Sequence, residues 1–229
     1  MIDATVGEMV AQTPERSRVF QAFGIGFCCQ GSKTLGQACV AAGVPLATVL
    51  RELDALEHGH ATADVDPAVL SVPELIDHII ECHHGYLRSE LPRLHQMAER
   101  VARVHGEREP VLEVLLEVFV GLRNELNDHM LREERALFPA LRELALGEGS
   151  GLVLNGPISR MMQEHVEVAE QLARLRDLTC GYHPPADACN TYRALFSGLQ
   201  ELRGDLDRHM YLEDDVLFPA AFALVDTRT

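Results

Sequence analysis

Apolar residues recur every three or four positions along most of the chain, which is the spacing of one buried face of an α-helix. The longest stretches with this pattern predict helices near 72–103, 109–146, 157–179 and 187–224. Segments containing glycine or proline separate these stretches, and such segments stop helices. Four helices joined by short connections are typical of an up-down-up-down bundle.

The first sixty residues carry a different pattern. Helical patches there are short and broken by glycines, and they lie near 5–11, 14–24, 34–42 and 46–57. A segment rich in Gly, Ala, Asp and Pro follows, without helical periodicity. We therefore predict a small helical domain at 1–60, a linker at 61–71 and the four-helix bundle at 72–226. Alternating Val, Ile and Thr stretches are scarce, so the expected fold class is all-α.

An internal repeat relates the second and fourth long helices. The segments "LNDHMLREERALFPA" (126–140) and "LDRHMYLEDDVLFPA" (206–220) align without a gap. Each places an acidic residue four positions after a histidine, and each ends in Leu-Phe-Pro-Ala. Duplication of a helical hairpin would place these two segments on facing helices of the bundle.

The repeat puts polar residues where the apolar pattern predicts a core. His129 and Glu133 interrupt the apolar stripe of the second long helix, and His209 and Glu213 interrupt that of the fourth. A histidine and a carboxylate four residues apart usually form a solvated pair on a helix surface. Here both pairs are in register with a core stripe, where an unpaired carboxylate costs several kcal/mol. The two carboxylates therefore require compensating positive charge.

Histidines of the first and third long helices complete the set. His84 and His165 both lie on apolar stripes, and Ile158 and Met162 precede His165 on the third. The two histidines are 81 residues apart, close to the 80-residue offset of the repeat. Their neighbour His83 lies about 100° away around the helix, so His84 fits the stripe better. Four imidazoles and two carboxylates facing one interior predict a site for two cations, of a chemistry that suits iron, manganese or zinc.

The charge balance narrows the choice of partners. With 20 basic and 35 acidic residues the formal net charge is −15, which disfavours binding to nucleic acid or to an anionic membrane. No apolar run reaches membrane-spanning length, and no signal peptide is visible at the start. We therefore expect a cytoplasmic protein without a nucleic-acid or membrane partner. Its six cysteines are then expected to be thiols.

These residues resemble a known family. "HMLREERALFP" and "HMYLEDDVLFP", with the upstream His84 and the pair Glu164-His165, look like the hemerythrin-like four-helix bundle. The similarity is greatest to the repair-of-iron-centres family of iron–sulfur cluster repair di-iron proteins, and it covers nearly the whole chain. It implies two non-haem iron ions bridged by an oxo or hydroxo group, with Glu133 and Glu213 also bridging. The implied ligands are His84, His129, Glu133, His165, His209 and Glu213.

The N-terminal segment carries a second feature of this family. The usual family signature is Asp-Tyr-Cys-Cys-Gly-Gly, whereas this chain has Gly-Phe-Cys-Cys-Gln-Gly at 26–31. Adjacent cysteines fit a structural role, since a disulfide between neighbours is strained. They also fit thiol redox chemistry or metal or nitrosyl handling, because a helix beginning near Thr34 would favour a reactive thiolate. Both interpretations stay open for Cys28 and Cys29.

The resemblance implies a role in repairing iron–sulfur clusters damaged by oxidative or nitrosative stress. Two mechanisms compete: nitric oxide reduction at the metal site, which would make the protein an enzyme, and iron delivery to damaged clusters. A hemerythrin-like module that binds or senses dioxygen or nitric oxide without catalysis is the alternative. Oxygen-carrying hemerythrins have a further histidine where this chain has Ala169, which implies a more open site. The implied partners are damaged iron–sulfur proteins, and a homodimer stays an open alternative.

Overall fold

The structure is a computed structural model. It describes residues 4–27, 31–58, 67–147 and 154–226. The elements within these ranges are helices, which confirms the prediction of an all-α protein. The chain divides into two compact units, one of Met1–Asp64 with Thr179–Gln200 and one of Val65–Leu178 with Glu201–Thr229.

The N-terminal part of the first unit is built from short helices, as the interrupted pattern predicted. They are α1 (Val6–Gln12), α2 (Arg16–Ala22), α3 (Leu35–Ala42) and α4 (Leu46–His58). Thr5 and Thr34 cap the first and third helices, each in a reciprocal box with the side chain three residues on. The side-chain amide of Asn190 donates a hydrogen bond to the carbonyl of Gly7 at 2.9 Å, which ties the later segment to this unit.

A close backbone approach in this unit gives a testable prediction. Gly7 donates its N–H to the carbonyl of Gly31, and a Cβ atom at residue 7 would lie 2.9 Å from that oxygen. Gly7→Ala is therefore expected to lower the free energy of unfolding by about 1–3 kcal/mol, measured by chemical denaturation. Gly36→Ala is the control, because a Cβ there meets no atom of the described residues within 4 Å. Equal losses of stability in both variants would contradict this explanation.

The longer helices follow the four predicted stretches. They are α5 (Val72–His78) and α6 (Gly85–His105), α7 (Val111–Arg132) and α8 (Phe138–Ala145), α9 (Asn155–Leu178), and α10 (Asn190–Tyr211) with α11 (Phe218–Asp226). Helix α7 packs against both α6 and α9. Most of the predicted linker at 61–71 lies outside the described residues, and a 3₁₀ turn at Pro67–Val69 precedes α5. No described helix combines the length and the apolar character that a membrane span requires.

Within the described residues, three of the long helices contain π-helical segments that simple periodicity did not predict. They are Ile79–His84, Glu133–Leu137 and Leu212–Leu217. Pro139 and Pro219 each follow two residues after such a segment. Because proline has no N–H to donate to the preceding turn, a wider turn accommodates it. Each segment contains one of the predicted ligand residues, so the widened turns lie at the site itself.

An apolar core surrounds these segments. Ile76, Ile79, Phe138, Leu217 and Phe218 are among its fully buried members. The stripe predicted for α9 was wrong at one position, because Met162 is 45% exposed whereas its neighbour Met161 is buried. Residues three or four positions apart lie on the same face of a helix, and in α9 the buried residue after Ile158 is three positions on, at Met161.

Candidate metal centre

The second unit brings the six predicted ligand side chains together. Each is at most 5% exposed. His84 is the last residue of a π segment in the first long helix, and His165 lies within α9. His129 lies in the last turn of α7, and Glu133 directly follows that helix. In the same way His209 lies in the last turn of α10, and Glu213 follows that helix. Their donor atoms form two clusters, His84-Glu133-His209-Glu213 and His129-Glu133-His165-Glu213. Within each cluster all four donor atoms lie within 4.8 Å of one another.

Glu133 belongs to both clusters through different oxygens. Its Oε2 lies 3.3 Å from Nε2 of His84, and its Oε1 lies 3.1 Å from Nε2 of His129. A carboxylate that faces one imidazole with each oxygen has the arrangement of a ligand bridging two cations.

Glu213 repeats this arrangement from the other half of the duplication. Its Oε1 lies 3.1 Å from Nε2 of His209, and its Oε2 lies 3.1 Å from Nε2 of His165. The Nε2 atoms of His129 and His165 are 3.3 Å apart, so both rings point at the same small volume. The sequence offset of the repeat thus reappears as a pseudo-two-fold relation between the two carboxylates.

Several buried polar atoms of the site have no hydrogen-bond partner among the described residues. They are both carboxylate oxygens of Glu133, Oε2 of Glu213, Nε2 of His84 and Nδ1 of His209. An unsatisfied buried polar atom is costly, and a buried carboxylate without compensation is more so. The oxygens and Nε2 atoms converge, so bound cations would satisfy the lone pairs of the first four of these atoms. The donor set therefore fits a dinuclear metal centre.

The electrostatics of the site agree with this fit. Burial, together with the negative charge of Glu213, raises the pKa of Glu133 well above its ordinary value. Burial acts in the same direction on Glu213, but attraction to His209 and His165 outweighs it and lowers the pKa of Glu213. Burial lowers the pKa of His165, but the hydrogen bond to Asp214 and the nearby carboxylate of Glu213 outweigh this effect and raise the pKa to about 10. Without metal the cluster therefore retains protons that cations would displace.

Carboxylates outside the clusters orient three of the four histidines. The Nδ1–H of His84 donates to Glu134 at 2.6 Å, and the Nδ1–H of His165 donates to Asp214 at 2.9 Å. Because an ionised carboxylate only accepts, these bonds fix the proton on Nδ1 and leave Nε2 free to bind metal. Sequence reasoning missed this role. The available signal was the acid that directly follows each ligand glutamate, at matching places in the repeat.

Glu164 orients the third histidine. Its Oε2 accepts the Nδ1–H of His129 at 2.9 Å and also a bond from Arg132. Burial opposes ionisation of Glu164, but the bonds from Arg132, His129 and Arg160 outweigh it and lower its pKa to about 2. Glu164 is therefore a charged acceptor at neutral pH.

Two further predicted features do not lie in the clusters. His83 is buried beside the site, but its Nδ1 faces Asp205 at 2.9 Å and it is absent from both clusters. The interpretations for Cys28 and Cys29 concern residues outside the described ranges.

Comparisons with known proteins match both parts of the chain. Residues 75–221 match the family model of the hemerythrin HHE cation-binding domain, and residues 2–57 match the ScdA_N domain, a domain of unknown function. The chain is 36% identical over 221 residues to the iron-sulfur cluster repair protein YtfE of Enterobacter sp. (strain 638), and 37% identical over 221 residues to that of Cronobacter sakazakii (strain ATCC BAA-894). Each alignment covers 96% of this chain and 97% of the relative.

Proposed function

The chain belongs to the hemerythrin HHE cation-binding family, and from this premise we propose that it binds two iron ions and acts in the repair of iron–sulfur clusters. Its relatives are named iron-sulfur cluster repair proteins, and the similarity to them extends over almost the whole of each chain. Damaged iron–sulfur proteins are the proposed partners, nitric oxide or dioxygen is the proposed small ligand, and the cytoplasm is the proposed location.

The observation that carries the proposal is the sharing of both glutamates between two clusters. His84 and His209 would hold one iron ion, and His129 and His165 would hold the other. Glu133 and Glu213 would bridge the two ions, with an oxo or hydroxo group as a further bridge. Bound iron would supply redox chemistry and a place for a small ligand.

The surrounding side chains shield and orient the ligands. Phe138 stacks against His84 at 5.8 Å between ring centroids, and Phe218 stacks against His165 at 6.5 Å. Both phenylalanines come from the Leu-Phe-Pro-Ala ending of the repeat, so each half supplies an apolar ring next to a ligand. Each apolar ring covers a face of the imidazole that it stacks on and would limit the access of water to that face. The described residues supply four donor atoms to each position, fewer than an octahedral ion accepts, which supports access by a small ligand.

The proposal is tested by the metal content and reactivity of anaerobically purified, iron-supplied protein. We expect about two iron ions per chain, one for each cluster. Nitric oxide is then added with an electron donor, and in parallel the protein is mixed with a cluster-free iron–sulfur protein. Turnover with retained iron supports nitric oxide reduction, whereas transfer of iron with rebuilding of the cluster supports delivery. Reversible ligand binding with neither outcome, or a site that holds zinc or a single ion, would overturn the repair proposal.

We further propose that the N-terminal domain at 1–60 functions separately from the metal ligands. The six ligand residues all belong to the second unit. A Cys28→Ser/Cys29→Ser double variant is therefore expected to retain the iron content of the wild type, measured by elemental analysis, even where it loses repair activity. Loss of bundle iron from this variant would contradict the separation.

A further inference from the structure

The four histidines of the site are not equally supported. His84, His129 and His165 each donate Nδ1–H to a carboxylate. Nδ1 of His209 is buried and has no hydrogen-bond partner among the described residues. The missing partner breaks the pseudo-symmetry that the rest of the site obeys.

The internal duplication shows which residue occupies the position of the carboxylate that His209 lacks. Glu164 orients His129, and it directly precedes His165 in the third long helix. His165 and His84 are 81 residues apart, and the residue 81 positions before Glu164 is His83. An imidazole therefore occupies the position that corresponds to the carboxylate of Glu164. His83 stacks on His209 with ring centroids 5.3 Å apart and planes within 9°, and its own Nδ1 faces Asp205. A parallel ring restricts the orientation of His209 but accepts no proton from it.

A carboxylate on the far nitrogen raises the basicity of a metal-binding imidazole, and loss of such a partner typically costs 10–100-fold in metal affinity. We propose that the two cation positions are unequal, and that the position between His84 and His209 releases its iron first. The inference rests on the proposed function, because it assumes two bound iron ions. The more labile ion is then the one between His84 and His209, and His83 is the positioning residue that makes the two positions differ in iron affinity.

Solvent access predicts the opposite order. A cleft of about 90 Å³ is lined by Glu125, Arg132, Glu164 and the predicted ligand His129. If access through this cleft governed release, iron between His129 and His165 would leave first. The order of release therefore discriminates between the strength of the ligands and the access of solvent.

The order is measured directly on the wild-type protein. Protein loaded anaerobically with ferrous iron is exposed to a ferrous chelator until half of the iron is lost, and its crystals are analysed by anomalous scattering at the iron edge. We expect the remaining iron between His129 and His165. Remaining iron between His84 and His209, or equal occupancy of both positions, would overturn the inference.

Matched variants test the assigned cause through the kinetics of release. Wild-type protein is expected to lose iron to the chelator in two phases that differ by about 10-fold or more in rate. His83→Glu supplies the carboxylate and should slow the fast phase by about 10-fold, whereas Glu164→Gln should accelerate the slow phase. Asp205 lies 80 residues after Glu125, so His83→Glu would reproduce the pair of carboxylates, Glu125 and Glu164, that lines one cleft in the other half. A single phase in the wild type, or an unchanged fast phase in a folded, iron-loaded His83→Glu protein, would overturn the inference.

The failure of this inference is distinguishable from failure of the proposed function. Fewer than two iron ions in the fully loaded wild type would overturn both. Two iron ions released at one rate would overturn only the inequality of the two positions.

Discussion

Glu133→Gln is expected to reduce the bound iron from about two ions per chain to one or fewer, while leaving the metal-free protein at least as stable as the wild type. Each oxygen of Glu133 faces a different histidine, so the substitution weakens both positions at once. In the absence of metal the side chain of Glu133 destabilises the folded state, because it is fully buried, its oxygens have no hydrogen-bond partner among the described residues, and burial raises its pKa. An amide of the same size is neutral at every pH, so the metal-free variant no longer has to bury a charge or take up a proton to avoid one.

A loss of bound iron without a loss of stability in the metal-free protein distinguishes a metal ligand from a residue that supports the fold. Iron is counted by elemental analysis, and stability is measured by chemical denaturation with and without iron. Glu117→Gln is the matched control, because Glu117 is an exposed glutamate on helix α7, the helix that leads directly into Glu133, and the change should alter neither quantity. Full iron occupancy in Glu133→Gln would refute the bridging assignment. A large loss of stability in the metal-free variant would instead indicate that Glu133 supports the fold.

The sequence was sufficient to predict the all-α fold class and to identify the six candidate ligand residues. Both follow from one pattern, because a polar residue that interrupts a core stripe is informative only when the stripe is regular. The duplication supplied the second constraint, since it paired His84 with His165 and Glu133 with Glu213. Met162 shows the limit of periodicity: steps of three and four residues both keep a helix face, and only packing decides between them.

Contacts between helices were beyond the reach of periodicity. Glu134 and Asp214 lie next to ligand residues in the chain, but each acts on a histidine about 50 residues away, and no local spacing encodes that pairing. The π segments were missed for a related reason. They change the helical repeat at the site, where a pattern of 3.6 residues per turn no longer applies. That Nδ1 of His209 has no hydrogen-bond partner among the described residues becomes visible only when these cross-helix bonds are compared.

Removing the iron from the wild-type protein is expected to lower the unfolding temperature of the bundle by on the order of 10 °C. The six predicted ligand residues come from all four long helices, so bound cations would connect these helices and would bind the folded chain in preference to the unfolded chain. A ligand at about 1,000 times its dissociation constant stabilises the folded state by about 4 kcal/mol. In a protein of this size each kcal/mol corresponds to a shift of roughly 2–4 °C.

Scanning calorimetry of iron-loaded protein and of protein depleted by an anaerobic chelator measures this shift. Because the chain has two compact units, two transitions are expected, and only that of the unit containing the ligands should move. A Glu133→Gln/Glu213→Gln double variant is the control, since its unfolding temperature should not respond to iron. Equal unfolding temperatures for loaded and depleted wild-type protein would mean that the cations contribute nothing to the native state. The buried carboxylates would then need another explanation, because cation binding would no longer offset the cost of burying them.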